Sequence, residues 1–209
     1  RKTLNKVHPR SCINLGSGNI EHLARKKPWI ITNVFAVLES NNCTIYHADI
    51  QSWPGVDFTI DLLKIESLNF CEDLLQPRIF ILANVLEHIP SQLRSEVLEN
   101  ILSLMASNDL LVITVPHAYP FHPDPIDTMY RPTAKELTDL LPLTWLDAST
   151  IDAGSFRDDL RGMNPWKKLR KIAKPLWPFR RFSKYISDLH RLTFLFRPYR
   201  ISIAIGQKP

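Results

Sequence analysis

Four short stretches of this 209-residue chain place chemically useful groups at regular distances. The first is Cys12-Ile-Asn-Leu-Gly-Ser-Gly-Asn19, an apolar run that stops at two glycines one residue apart. Glycines at a strand end allow a tight turn whose backbone N–H groups approach a ligand with no side chain in between. The second stretch ends at Ala48-Asp49, one strand–helix–strand unit later. A carboxylate there suits paired hydrogen bonds to the hydroxyls of a ribose; the plainer role is to cap the next turn, where Asp is common. The third, Val56-Asp-Phe-Thr-Ile-Asp-Leu62, offers Asp61, and the fourth is Ala83-Asn-Val-Leu-Glu-His-Ile89.

The elements that must position these residues follow from the hydropathy pattern. Apolar runs at Ser11–Leu15, Cys43–His47, Asp57–Asp61, Arg78–Asn84, Leu110–Val115, Trp145–Ile151 and Arg200–Ile205 predict strands. Between them, helical spacing predicts helices over Ile20–Ser40, Gln92–Met105 and Ala134–Leu141. Pro28 fits the first turn of a second helix within the first of these, Ser91 is the expected N-cap of the next, and Thr133 that of the last. Asn41-Asn42 ends the first helical segment, and Pro116 is expected to close the fifth strand. Strands alternating with helices, several of them apolar on both faces, predict an α/β fold with a Rossmann-like, doubly wound sheet. In such sheets ligands sit beyond the carboxyl ends of the strands, where the four stretches end. A nicotinamide cofactor would require a third glycine at position 21, which is Glu21.

Ile13-Asn-Leu-Gly-Ser-Gly-Asn19, the Asp49 strand end, Val56–Leu62 and Ala83–Ile89 together resemble the class I S-adenosylmethionine-dependent methyltransferases, over about residues 11–150. The resemblance is closest to the type 11-like members found in cell-surface sugar pathways. It implies a mostly parallel seven-stranded sheet, with the last strand antiparallel and inserted beside the sixth. It implies S-adenosylmethionine as cofactor, with Asn14, Leu15, Gly16, Ser17 and Gly18 passing its methionine part. Asp49 would hold the ribose and Asp61 would lie near the adenine, or the two acids would exchange these roles; Ile50 and Leu62 would also contact the cofactor, and Asn84 and Val85 would line the methyl. Family members usually carry a Pro-Gly-Gly turn before the fifth strand; here it is Ala106-Ser-Asn-Asp109.

Methyl transfer to oxygen needs a base, and His88, His117 and His122 follow the fourth and fifth strands. An unperturbed pKa of about 6.5 suits that task, though each is equally readable as a hydrogen-bonded loop or core residue, His88 above all. The Pro-rich loop His117–Pro132 offers Asp124, Asp127, Tyr130 and Arg131 to a hydroxylated substrate. Asp127 and Arg131 also have the spacing to pair with each other. His122, Asp124 and Asp127 include ligand types for a divalent metal, but the proline spacing argues against one.

Residues 1–154 hold 12 Lys+Arg against 18 Asp+Glu, a net of −6, whereas residues 155–209 hold 14 against 3, a net of +11. The chain therefore reads as one methyltransferase domain with parts of different character. These are an arm (1–10), a cofactor-binding core (11–153), a basic, aromatic-rich helical insertion (155–198) and a final strand (199–207). From Asn164 to Tyr199, cations such as Lys167, Lys168, Arg180 and Arg181 interleave with Trp166, Trp177, Phe179 and Phe182. That composition suits anionic membrane. It equally suits a lid with a solvated basic face; RNA is disfavoured because no RNA-binding motif accompanies it. No apolar run is long enough to span a bilayer, and the basic start has no signal-peptide core. Three scattered cysteines argue for buried thiols in a reducing, cytoplasmic setting. The expected activity is O-methylation of a sugar or other hydroxylated, small or lipid-linked substrate, as in polysaccharide biosynthesis. The alternatives are N- or C-methylation of a metabolite, or a non-catalytic, membrane-associated cofactor binder.

Overall fold

The computed structural model describes residues 7–121, 126–173 and 189–209. Its strands are β1 Ser11–Leu15, β2 Thr44–Asp49, β3 Phe58–Thr59, β4 Arg78–Ala83, β5 Leu110–Ala118, β6 Thr144–Ser155 and β7 Pro198–Gln207. They form a seven-stranded sheet in the order β3-β2-β1-β4-β5-β7-β6. The pairs among β1 to β5 are parallel, and β7 runs antiparallel between β5 and β6. This is the mixed α/β sheet expected, with its last strand inserted beside the sixth.

Helices cover both faces. They are α1 Ile20–Lys26, α2 over residues 28–39, α3 Arg94–Leu104, α4 Ala134–Thr138, α5 Phe156–Leu160 and α6 Pro165–Ala173. Period-two alternation sorts the strand residues between two cores. Ile13, Leu15, Phe80, Leu82 and Ile113 pack on Leu68, Val97, Ile101 and Leu137. Cys12, Ile79 and Ile81 pack on Phe35 and Leu38 of α2. All three cysteines are buried and free, and burial pushes the Cys43 thiol up to about 11.

Local signals place most boundaries. Pro28 opens α2, which contains one π-type turn at Ile31–Phe35. Thr133 and Glu136 close a reciprocal capping box at α4. Three expectations are corrected. Ser91 is not the cap of α3: it stands in a short 3-10 turn, Ser91–Leu93, and the α-helix begins at Arg94. β3 shrinks to two residues because it pairs only with the end of β2. Pro116 does not close β5, which continues to Ala118. Thr114 O accepts the N–H of Asn84, so Pro116, two residues on, turns its missing N–H to the edge where β4 has already ended.

The turn before β5 is held without glycine. Asn108 takes φ +71°, and the Asp109 carboxylate accepts the Ala106 N–H at 2.8 Å and the Arg78 N–H at 2.6 Å. The Arg78 side chain, fully buried, returns a 2.8 Å bond from Nε to Asp109 and donates to the carbonyls of Cys71 and Leu104. This locks the amino ends of β4 and β5 together, leaving the carboxyl ends to carry the site. Among the described residues, no helix is long and apolar enough to cross a membrane.

Candidate functional site

The glycine turn at the end of β1 is shaped by two left-handed residues, Gly16 at φ +68° and Gly18 at φ +63°. The first also needs its bare Cα: a Cβ there would stand 2.5 Å from Val85 Cγ2. Nothing lies within 4 Å of a Cβ at Gly18, so only conformation selects glycine at that position. The turn is fastened to β2. Gly16 and Ser17 donate their N–H groups to Ala48 O at 2.8 and 3.1 Å. Gly18 N–H donates to Asp49 Oδ2 at 2.8 Å, and Gln51 N–H to Asp49 Oδ1 at 3.0 Å. Asp49 therefore both closes its own turn and clasps the glycine loop. A carboxylate accepts about four hydrogen bonds. Two acceptor positions thus remain for a ligand's hydroxyls.

Asn84 follows β4 at φ +55°, a strained geometry for a residue other than glycine. Its N–H is tied to Thr114 O at 2.8 Å and Val85 packs beneath Gly16. Asn14 Nδ2 lies 3.1 Å from His47 Nδ1 in the paired register of β1 and β2, and Leu15 is buried in the core. Asp61 is more exposed and accepts the Leu63 N–H at 3.1 Å, while Ile50 is largely exposed and Leu62 packs against the core. A cavity of about 600 Å³ begins at Gly16, Ser17, Asn84 and Thr114 and runs along the sheet under α2. Its size falls within the ordinary range for ligand clefts.

The structure divides the remaining candidates. His88 Nδ1 meets the Ile126 carbonyl and its Nε2 lies 3.9 Å from Glu87 Oε1, so its ring ties the β4 end to the Pro-rich loop. Glu87 is fully buried, and neither carboxylate oxygen has a hydrogen-bond partner among the described residues. Burial holds its carboxyl above the ordinary glutamate range. Asp127 and Arg131 pair with each other through two bonds, of 2.6 and 3.1 Å. Tyr130 stacks 4.0 Å beneath the Arg94 guanidinium, beside a small cavity of about 100 Å³. His122 and Asp124 lie outside the described residues, as do residues 174–188 of the basic segment, with Lys174, Trp177, Phe179, Arg180, Arg181 and Phe182 among them.

His117 faces a different space. It lines a cavity of about 530 Å³ together with Arg131 and residues of the segment entering β7. Its Nδ1 is 3.1 Å from Pro132 O, a carbonyl that also accepts the Ser202 hydroxyl at 2.7 Å. A carbonyl can only accept, so Nδ1 carries the proton and Nε2 keeps the lone pair in the neutral ring. Tyr119, His190, Arg197 and Arg200 share this cavity and were missed as site residues in the sequence. The only signal for them was the basic surplus of the C-terminal quarter.

No protein-family model matches the sequence, and neither does any curated protein. Solved structures do match. A coclaurine N-methyltransferase bound to N-methylheliamine and S-adenosylhomocysteine is similar with a TM-score of 0.52 and 12% identity, over 99% of this chain and 71% of that one. A SAM-dependent methyltransferase from Archaeoglobus fulgidus aligns at TM-score 0.48 and 16% identity, over 99% and 92%. NodS, an N-methyltransferase from Bradyrhizobium japonicum WM9, aligns at TM-score 0.46 and 9% identity, over 99% and 81%. The chain has the class I methyltransferase fold. At these identities the likeness is one of fold.

Proposed function

We propose that this protein is an S-adenosylmethionine-dependent methyltransferase acting on the hydroxyl of a sugar or other small or lipid-linked compound. One observation carries the reading: the bare Gly16 packed against Val85, next to a loop whose Gly18 N–H is clasped by Asp49. That cradle offers exposed backbone, two spare carboxylate acceptor positions and the mouth of a cavity. These features fit the sulfonium nucleoside, with Asn14 to Gly18 along its methionine part, Asp49 and Ile50 at the ribose, Asp61 and Leu62 toward the base, and Asn84 and Val85 by the methyl. The similar fold of the coclaurine enzyme, crystallised with S-adenosylhomocysteine, supports the same cofactor.

When bound, the cofactor supplies a methyl group whose bond to sulfur breaks, with the electron pair going to sulfur, as the acceptor's oxygen bonds to carbon. The protein then has two tasks, alignment and proton removal. His117 Nε2 takes the hydroxyl proton, its ring held in the required tautomer by Pro132 O. His88 and Glu87 position the loop, and Asp127 orients Arg131 toward the acceptor. The α6 surface supports a peripheral contact with anionic membrane as well: Trp166 and Leu169 are exposed beside Lys167, Lys168, Arg170 and Lys171.

Calorimetry with S-adenosylmethionine tests the cofactor, with binding expected for the native chain. No heat at millimolar ligand from folded protein would overturn the reading. The base is tested separately: His117→Gln should cut turnover roughly 100-fold or more while leaving cofactor affinity within about twofold. Native-like turnover would remove His117 from that role.

A further inference from the structure

Where β5 ends against the chain entering β7, the 530 Å³ cavity is lined by Arg131, Arg197, Arg200, His117 and His190, with no acidic residue among the described residues of the lining. Two of its arginines are already held by carboxylates outside it: Arg131 by Asp127 at 2.6 Å and Arg200 by Asp152 at 3.1 Å. Arg197 is exposed and has no carboxylate partner among the described residues. The opposite wall is aromatic. Phe194 packs on Tyr199 at 5.3 Å, Tyr199 on Tyr119 at 4.9 Å, and His190 meets Phe194 edge-on at 5.5 Å. Asp159 braces that wall from behind by accepting from the Tyr199 hydroxyl at 3.0 Å and from Arg191 at 3.2 Å.

We propose that this cavity is the acceptor site and that the acceptor is phosphorylated, its phosphate held by the Arg197 guanidinium and its body laid on the Tyr119–Phe194 wall. The proposal rests on the methyl-transfer reading for the word acceptor, but the phosphate site stands on the cavity alone. A guanidinium presents paired N–H groups that match phosphate oxygens. A phosphate monoester carries about −1.5 to −2 charges at neutral pH. That charge matches one arginine without a carboxylate partner among the described residues beside two partly neutralised ones; a single carboxylate would leave positive charge over. The position also fits. Thr114 takes the Asn84 N–H at the cofactor crevice, and His117 lies three residues further along β5, about 10 Å at strand spacing. A phosphorylated ring spans that interval with its phosphate at Arg197 and its hydroxyl at the crevice end, between the methyl and the His117 ring. The surplus of 14 cations over 3 acids in residues 155–209 steers such an anion to this end of the sheet.

Titration calorimetry on the full chain at low salt tests this with inorganic phosphate, glucose 6-phosphate, glucose and gluconate. Phosphate and glucose 6-phosphate should bind, glucose should not, and gluconate should bind at least about tenfold more weakly. Arg197→Ala should weaken glucose 6-phosphate at least about tenfold, Arg197→Lys should recover part of the loss, and Arg161→Ala, outside the cavity, should change nothing. Thermal midpoints confirm that each variant is folded. No phosphate binding, unchanged binding by Arg197→Ala, or equal affinity for gluconate would each overturn the proposal. S-adenosylhomocysteine titrated in parallel separates the two readings. If it binds and phosphate does not, the phosphate site falls and methyl transfer stands; the converse removes methyl transfer and keeps an anion site. Phosphatidic acid vesicles bound through Arg197 when free phosphate binds weakly would identify the source as a lipid headgroup and support the same chemistry.

Discussion

β4 has a buried charge near each end, and the two are treated in opposite ways. At its amino end, Arg78 and Asp109 bond to each other and to four backbone groups, at Cys71, Leu104, Ala106 and Arg78 itself. Beyond its carboxyl end, Glu87 is equally buried, yet both oxygens lack hydrogen-bond partners among the described residues. Desolvating a charge costs several kcal/mol unless its bonding capacity is filled. The filled pair is therefore a fastener for two strand starts. The unfilled one lies three residues beyond Asn84, whose backbone takes the left-handed φ of +55°. Stability is concentrated at one end of the sheet, and the polar groups left short of partners lie at the other.

Substitutions at the two ends should accordingly separate stability from binding. The largest effect is expected from Asp109→Ala, which leaves Arg78 charged and buried. About 3–5 kcal/mol of stability should disappear from urea unfolding, with S-adenosylhomocysteine affinity of the remaining folded protein unchanged. A loss below ~1 kcal/mol would end the contrast. Gly16→Ala combines left-handed strain of about 1–2 kcal/mol with overpacking on Val85 of about 1–3 kcal/mol. It should also lower S-adenosylhomocysteine affinity at least roughly 100-fold, far more than Gly18→Ala, where only the conformation is strained. Equal losses at the two glycines would show that close packing on Val85 is unimportant.

Asp49→Ala should weaken S-adenosylhomocysteine about 10–100-fold, the value of one or two charge-assisted hydrogen bonds, with a smaller loss of stability from the freed Gly18 N–H. Unaltered affinity would mean that Asp49 serves only its turn. The smallest effect concerns pH. The Glu87 pKa is raised in the folded chain by burial, so the folded state holds its proton more tightly than the unfolded one. Stability from this source is complete below the ordinary glutamate value and is lost as pH rises through the folded pKa. Glu87→Gln should remove that slope, giving a variant that gains on the native protein as pH rises toward neutrality in thermal melts. Parallel melting curves for the two proteins across that range would show that Glu87 is not desolvated.

Much of the carboxyl end was legible because its signals are short-range. Two glycines one residue apart announce a turn, Thr133 announces a helix start, and Asp49 falls where a strand must end. Asp127 and Arg131 were readable as partners by spacing, and they pair. Ser91 and Pro116 misled because each was judged by local propensity. The 3-10 turn ahead of α3 and the vacated edge beside β5 are set by neighbours distant in sequence. Tyr130 was grouped with Arg131 by adjacency, but consecutive residues of an extended chain point to opposite sides. One joins Arg94 and the other faces the cavity at His117.

The sequence by itself determined the apolar strands, the glycine turn at Gly16–Gly18 and the acidic strand tips, since each depends on the conformational preferences of a few consecutive residues. The resemblance implied an antiparallel last strand, but only the tertiary structure decided that its entry beside β5 brings His190, Arg197 and Arg200 to the same space as His117. The physical reason is that strand order and direction depend on burying two whole faces of the sheet at once. No window of local sequence contains both sides of that contact.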